Sequence, residues 1–255
     1  MIIRYFLIIV FVITFSMGNT LATTPIMITI SSDMDKVIFD GRWSYETEWK
    51  RSSLDTLSYD DGTYIQLRTA HQDNFIYVLV DAVSDVYLDK GTDRTVVCFD
   101  TKNDKSLQPD SDDYCFGVTF DERESLVLQG GSLESGDHFR KITNPDGFIG
   151  ISNVSDENDR YSKIPHTSYE FRIPTEIVGR SDIYGFYLGI YDGYSDKIYS
   201  WPQDLISDSI LKVPAPNTWG ELVSPDKSLP EFEWPMLAVL LACSFTVYLT
   251  KFRYR

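Results

Sequence analysis

Cys98-Phe99-Asp100 and Asp113-Tyr114-Cys115 are mirror images of one another, separated by a loop with further aspartates at 104, 110 and 112. Paired as an antiparallel hairpin, Cys98 stands opposite Cys115, Phe99 opposite Tyr114, Val97 opposite Phe116 and Asp100 opposite Asp113. Residues two apart share a face, so the two aspartates lie beside the cysteines and the cysteines point away from the Val97, Phe99, Tyr114 and Phe116 face. A disulfide here staples the outer surface and stabilises by ~3 kcal/mol on the chain-entropy account. Directly opposed like charges weaken a ladder, so this register calls for something to neutralise Asp100 and Asp113.

Working outward, period-two runs dominate. Residues 26–30, 64–68, 75–83, 94–100, 114–120, 125–129, 147–152, 168–173, 183–192 and 197–201 all read as strands. Phe75 to Val80 is apolar on both faces, which suits a central strand covered on both sides, and Tyr184, Phe186, Leu188 and Ile190 share a face. Turn chemistry fills the gaps, as in Asp60-Asp61-Gly62 and Asn144-Pro145-Asp146-Gly147. Helix is confined to single turns at 175–178 and 46–51. Many short antiparallel strands with frequent turns predict an all-β fold, an antiparallel β-sandwich of jelly-roll type.

The ends have a different composition. Residues 1–22, with Arg4, an apolar run from Phe6 to Phe15 and small residues up to Ala22, read as a signal peptide. Residues 234–250 carry no charge and precede Lys251, Arg253 and Arg255, which predicts a transmembrane anchor and a basic cytoplasmic tail over 251–255. The sandwich is expected over 23–222 and a Pro-containing linker over 223–233. That organisation places the domain outside the cell, held to the membrane by its C-terminal helix. An extracellular setting agrees with an even pair of cysteines in the sandwich, Cys243 belonging to the anchor.

Four of the 23 basic residues and none of the 38 acids lie in the two ends, leaving the exported part at −19. Nucleic acid is excluded as a partner, since phosphate binding needs a basic face. Asn153-Val154-Ser155 matches a glycosylation sequon, read as a loop.

Several local motifs follow one another in the order of a known family. Asp40-Gly41 with Trp49, the Phe75–Asp81 strand, Asp93–Asp100 with Asp112-Asp113-Tyr114, Tyr169-Glu170-Phe171-Arg172-Ile173-Pro174, Asp192, Trp201-Pro202 and Trp219-Gly220 together resemble family 9 carbohydrate-binding modules and the wider DOMON-like sandwiches. The resemblance implies a sandwich, Trp49 and Trp219 in its core, and carbohydrate or cell-envelope glycan as ligand. At the C-terminus, Pro230-Glu231-Phe232 with the apolar run and basic end resembles the PEF-type sorting signals of archaeal surface proteins; a plain membrane anchor accounts for the same residues.

Calcium takes six to eight oxygens, and Asp100, Asn103, Asp104, Asp110, Asp112 and Asp113 offer them, so this loop is the candidate metal site. It is not an EF-hand, because the sixth position from Asp100 is Lys105 and the twelfth is Ser111. Family 9 modules are similar calcium-containing sandwiches, which adds to the reading. The alternative is a solvated acidic turn with Asp100 paired to Arg94 or Lys102. For the sugar, a pyranose stacks its C–H face on an aromatic plane; Trp43, Tyr194, Tyr199 and Trp201 lie near loops or strand ends and are the candidates, the alternative being plugs over the core edge. No haem-ligand pair stands out among His71, His138, His166, Met27 and Met34, and no nucleophile or zinc-protease motif occurs. The expectation is a non-catalytic carbohydrate-binding or adhesion module on a cell surface, with a structural envelope protein as the rival reading and an accessory subunit of a glycan-active or redox enzyme as a third.

Overall fold

The computed structural model describes residues 24–122, 125–205 and 213–224. The expected signal peptide, most of the linker, the anchor and the tail lie outside them. No helix of the described residues is long and apolar enough to cross a membrane.

The described strands are β1 (Ile26–Met27), β2 (Thr29–Ile30), β3 (Ser53–Ser58), β4 (Tyr64–Gln72), β5 (Phe75–Ala82), β6 (Arg94–Asp100), β7 (Asp113–Thr119), β8 (Ser125–Gln129), β9 (Arg140–Ile142), β10 (Ile149–Val154), β11 (Thr167–Pro174), β12 (Ile183–Asp192), β13 (Lys197–Trp201) and β14 (Gly220–Val223). A single helical turn, α1 (Thr175–Val178), follows Pro174, as expected. One sheet runs β1-β14-β12-β6-β7-β8-β9, with β13 sharing the β14 edge of β12. The other runs β10-β11-β5-β4-β2, with β3 also on β4. The expected strand over 26–30 is split. β1 joins the first sheet and β2 the second, and buried Ile28 crosses between them.

Alternation sets the core. Val97, Phe99, Phe116, Val118, Tyr184, Phe186, Leu188 and Ile190 of the first sheet face Ile65, Leu67, Ile76, Val78, Val80, Tyr169 and Phe171 of the second, all buried. Both outer faces are also covered. Tyr77 and Leu79, on the back of central strand β5, pack with Met34, Trp43 and Trp49. Here Arg68 donates to the carbonyls of Trp49 and Ser52, while buried Glu170 accepts the Trp49 indole N–H at 2.9 Å and the Gly41 amide at 2.8 Å.

The hairpin register is the expected one at every position, Cys98↔Cys115 and Asp100↔Asp113 included. A disulfide joins the cysteines, whose Cα atoms are 4.1 Å apart. Its surroundings correct the expectation of a surface staple. The bridge is fully buried beneath Tyr187, Leu128, Phe139, Val213 and Trp219, because the chain around 139 and 213–219 folds over the back of this sheet. Trp49 and Trp219 are indeed interior, but in these two outer layers rather than between the sheets. The sequon is corrected too: Asn153 lies in β10 and its amide donates to the Asp40 carbonyl at 2.9 Å.

Candidate functional site

Three of the four expected sugar-stacking residues are buried. Trp43 lies beneath the Arg68 guanidinium, 5.2 Å from its ring centre. Trp201 packs against Phe186 and over Gly220, where a Cβ would come within 2.2 Å of the indole. Tyr199 stacks edge-on to Tyr59 and donates to Asp61 Oδ2 at 3.0 Å. The reason is alternation in β13: Tyr199 and Trp201 share the core-facing side, and Ile198 takes the outer one.

Tyr194 is different. It is 64% exposed and lies face to face with Tyr87, itself 52% exposed, with ring centroids 3.7 Å apart and planes within 7°. Tyr87 belongs to the β5–β6 loop, where Val86 and Leu88 are exposed too, and Tyr194 to the β12–β13 turn. Two exposed tyrosines from distant segments thus form one aromatic ridge, each ring keeping an open face.

Aspartates hold this arrangement. Asp93 Oδ2 accepts the Asp89 amide at 2.7 Å, and its Oδ1 accepts the Gly193 amide at 2.9 Å. One buried carboxylate therefore ties the Tyr87 loop to the Tyr194 turn. In the turn itself, Asp192 Oδ1 accepts the amides of Tyr194 and Ser195, and Oδ2 accepts the Ser195 hydroxyl. Asp85, closing the inner end of the loop, accepts the Thr167 hydroxyl at 2.7 Å. Burial, then the charges of Asp93, Asp192 and Asp89, push Asp85 up to about 7. Burial likewise raises Asp93.

On the outer face of the first sheet, a groove of about 250 Å³ runs over Gly117 and Gly189 between Tyr187, Tyr191, Leu126 and Arg94. Arg94 and Tyr191 adjoin Asp93 and Asp192 in their strands but point to the opposite face, so the mouth of the groove neighbours the tyrosine ridge. The Arg94 guanidinium lies 4.1 Å from the centre of the Tyr191 ring.

The hairpin loop divides the expected calcium set. Asp104, Asp110 and Asp112 bring carboxylate oxygens within 4.8 Å of one another. Asp100 and Asp113 are instead buried and bonded to backbone: Asp100 accepts the amides of Asp104 and Lys105, and Asp113 that of Asp110 at 2.7 Å. Asn103 reaches Glu221 at 3.4 Å. Lys102 pairs with Asp112 at 2.7 Å, not with Asp100.

A serine, a histidine and an aspartate also meet in the interior. His166 Nε2 lies 2.7 Å from Asp81 Oδ1, and His166 Nδ1 is 2.9 Å from Ser155 Oγ. The same Nδ1 is 2.8 Å from the Ile164 carbonyl, which only accepts, so Nδ1 carries a proton. Ser155 Oγ meanwhile accepts the His166 amide. With no basic nitrogen facing the hydroxyl and all three residues buried, the group is a structural relay rather than an activated nucleophile. Neither it nor Tyr87 was singled out from sequence. The exposed apolar run Val86-Tyr87-Leu88 between Asp85 and Asp89 was the available signal.

The fold and this ridge define a two-sheet sandwich with an aromatic and acidic site at one loop end. No protein-family model matches the chain, and no curated protein matches it. Among solved structures it is similar to a carbohydrate-binding module family 9 from Caldicellulosiruptor kristjanssonii in complex with cellotriose, at 14% identity and TM-score 0.48, over 79% of this chain and 93% of that one. It is similar also to the same organism's family 9 module in complex with glucose, at 13% identity and TM-score 0.46, over 79% and 95%.

Proposed function

We propose that this chain is a non-catalytic carbohydrate-binding module held at a cell surface, with the Tyr87–Tyr194 ridge as its sugar platform. One observation carries the reading: two large aromatic side chains, parallel and exposed at a loop end, are fixed by hydrogen-bonded aspartates rather than left to collapse onto the surface. A pyranose stacks on the open face of such a ring, with its hydroxyls directed to the surrounding Tyr hydroxyls, Ser195 and Asp89. The rings touch each other, so the platform offers outer faces rather than a slot between them. The accompanying localisation is a proposal of the same standing: residues 1–22 export the chain to an archaeal surface, and 234–250 anchor it in the membrane with its end in the cytoplasm.

The test is a glycan array probed with the full chain, with and without calcium. Binding to defined glycans that Tyr194→Ala and Tyr87→Ala each weaken about tenfold, at unchanged melting temperature, supports the platform. Silence across a broad array overturns it and leaves a structural role in the envelope. Protease accessibility of the domain on intact cells tests the localisation.

A further inference from the structure

Gly189, Val96, Gly117 and Leu126 stand in one row across β12, β6, β7 and β8, each paired with the next. Their side-chain positions face outward, away from the Phe99 and Phe116 core. Three strand spacings make the row about 14 Å long. Glycine weakens a strand interior, and it is found there at a bulge, at an unusual φ or where something approaches closely. Neither Gly117 nor Gly189 has a positive φ, and both ladders run through them without a bulge. What the two glycines leave is space, the groove of about 250 Å³.

The neighbouring rows are its walls. Two residues along on one side stand Tyr187 and Leu128, and on the other Tyr191, Arg94 and Thr119. Leu126 closes one end and leans over Gly117, where a Cβ would come 3.2 Å from its Cγ.

Small residues alone do not make a site, but Tyr187 adds an independent observation. The residue is 1% exposed, and its hydroxyl points over Gly189, 2.8 Å from where a Cβ would be. Its ring stacks on Trp219, yet the hydroxyl has no hydrogen bond among the described residues. A buried donor is thus aimed into the groove without an acceptor. Across from it, Arg94 is the single charged residue of the lining. The guanidinium lies on the Tyr191 ring and donates to the Thr92 carbonyl at 3.2 Å, with no ion-pair partner among the described residues. The polar groups gather at the Gly189 end, and Leu126 and Leu128 form the Gly117 end.

We propose that this groove binds a small amphiphile, an aliphatic chain of about eight carbons ending in a carboxylate. At about 30 Å³ for each heavy atom, the volume holds a body of that size. The carboxylate lies over Gly189 and accepts from the Tyr187 hydroxyl and the Arg94 guanidinium. The chain lies over Gly117 and loses water against Leu126 and Leu128. The lining suits a pyranose poorly, because Arg94 occupies a face of Tyr191, Tyr187 is buried against Trp219, and the remaining walls are mostly aliphatic. The site is separate from the tyrosine ridge and does not rest on the carbohydrate reading.

Calorimetry of sodium octanoate into the full chain in lipid nanodiscs, with empty discs as the blank, tests this. Octylamine and 1-octanol carry the same chain without the carboxylate. Tyr187→Phe is the diagnostic variant, since it removes only a hydroxyl that the fold does not use, and the melting temperature should hold. The expected result is octanoate binding that Tyr187→Phe and Arg94→Met each weaken at least about fivefold, with octanol at least about tenfold weaker and octylamine silent. Gly117→Val fills the floor with a residue that suits a strand better, and should abolish binding without lowering the melting temperature. No binding at millimolar octanoate overturns the proposal. So does octanol or octylamine binding as tightly as octanoate, or full affinity retained in both Tyr187→Phe and Arg94→Met.

Discussion

Asp113 stands directly across from Asp100 on the β6–β7 ladder, both fully enclosed, on the same face as the Cys98–Cys115 bridge. Room for the pair comes from the next strand, where Gly185 lies opposite Asp100 and a Cβ would approach the Asp100 Cβ to 2.7 Å. Backbone amides from the loop satisfy Asp100 on both oxygens, but Asp113 Oδ1 is buried without a partner. Burial first, and then the neighbouring Asp100, push Asp113 up to about 7.

A proton on Asp113 is therefore the neutraliser that the register calls for. Folding binds that proton, so the stability it confers is complete near pH 4 and lost as pH rises through about 7. Asp113→Asn, which keeps the acceptor for the Asp110 amide and supplies a donor toward Asp100, should match the parent near pH 4 and exceed it by at least ~1 kcal/mol at pH 8. Urea melts at the two pH values decide it. A variant weaker than the parent at pH 8 would mean that the carboxylate is needed as a charge, as a bound cation would require.

Removing the bridge is the second prediction. Its 17-residue separation gives ~3 kcal/mol by loop entropy. Because both sulfurs pack under Tyr187, Leu128 and Trp219, Cys98→Ala/Cys115→Ala also leaves a cavity, so the loss should exceed that figure. Chemical denaturation of the oxidised parent and the double variant measures it, and a loss below 1 kcal/mol would contradict the buried placement.

The hairpin and the central strands were legible because their physics is local. Two-residue alternation with bulky residues on one side located β12 and β13 to the residue, and the mirrored cysteines set the β6–β7 register. Strands β3, β9 and β14 were not read. In β3, Ser-Leu-Asp-Thr-Leu-Ser buries only Leu57, since the strand sits at an edge and shows most of its side chains to water. The outer layers escaped for another reason. Period-two reading says which residues share a face, not whether another segment later covers it, so Trp43 looked exposed and the disulfide superficial. At the site, Tyr194 was found because it stands in a polar turn. Tyr87 was not, because its partner comes from a remote part of the chain.

Gly41 tests the cover over the second sheet. Its φ is +89°, and a Cβ would lie 2.4 Å from the Ser152 carbonyl carbon and 2.6 Å from the Asn153 nitrogen. Both obstacles are backbone, so neither can rotate away. Its amide is also one of the two donors that Glu170 holds, and burial raises that carboxyl well above the ordinary glutamate value. Gly41→Ala should cost at least ~2 kcal/mol and red-shift tryptophan fluorescence as Trp43 and Trp49 become wetter. A variant with parental stability would show that the 34–52 segment is not fixed in this way.

The buried His166–Asp81 pair gives the chain a second acid-favouring element. Burial pushes Asp81 up to about 6 against the opposing pull of His166. Burial alone would lower the imidazole, but the hydrogen bond and charge of Asp81 outweigh it, and His166 titrates above its ordinary value. Both shifts are upward, so both contributions have the same sign: protons bound in the folded state are lost as pH rises. Asp81 gives up its share between about 4 and 6, and His166 from about 6.5 through its raised value. The melting temperature should fall between pH 6 and pH 9, by roughly 3–6 °C for each 1.5 kcal/mol. His166→Gln keeps a donor for Asp81 but no charge. It should cost ~3 kcal/mol at pH 6 and remove the imidazole's share of the pH dependence, leaving the slope due to the raised carboxylates, among them Asp85, Asp113, Glu170 and Asp81 itself, now without the opposing pull of His166. An undiminished slope in Asp81→Asn/His166→Gln, measured against Asp81→Asn alone, would place the proton release on the other carboxylates and remove the imidazolium from the account.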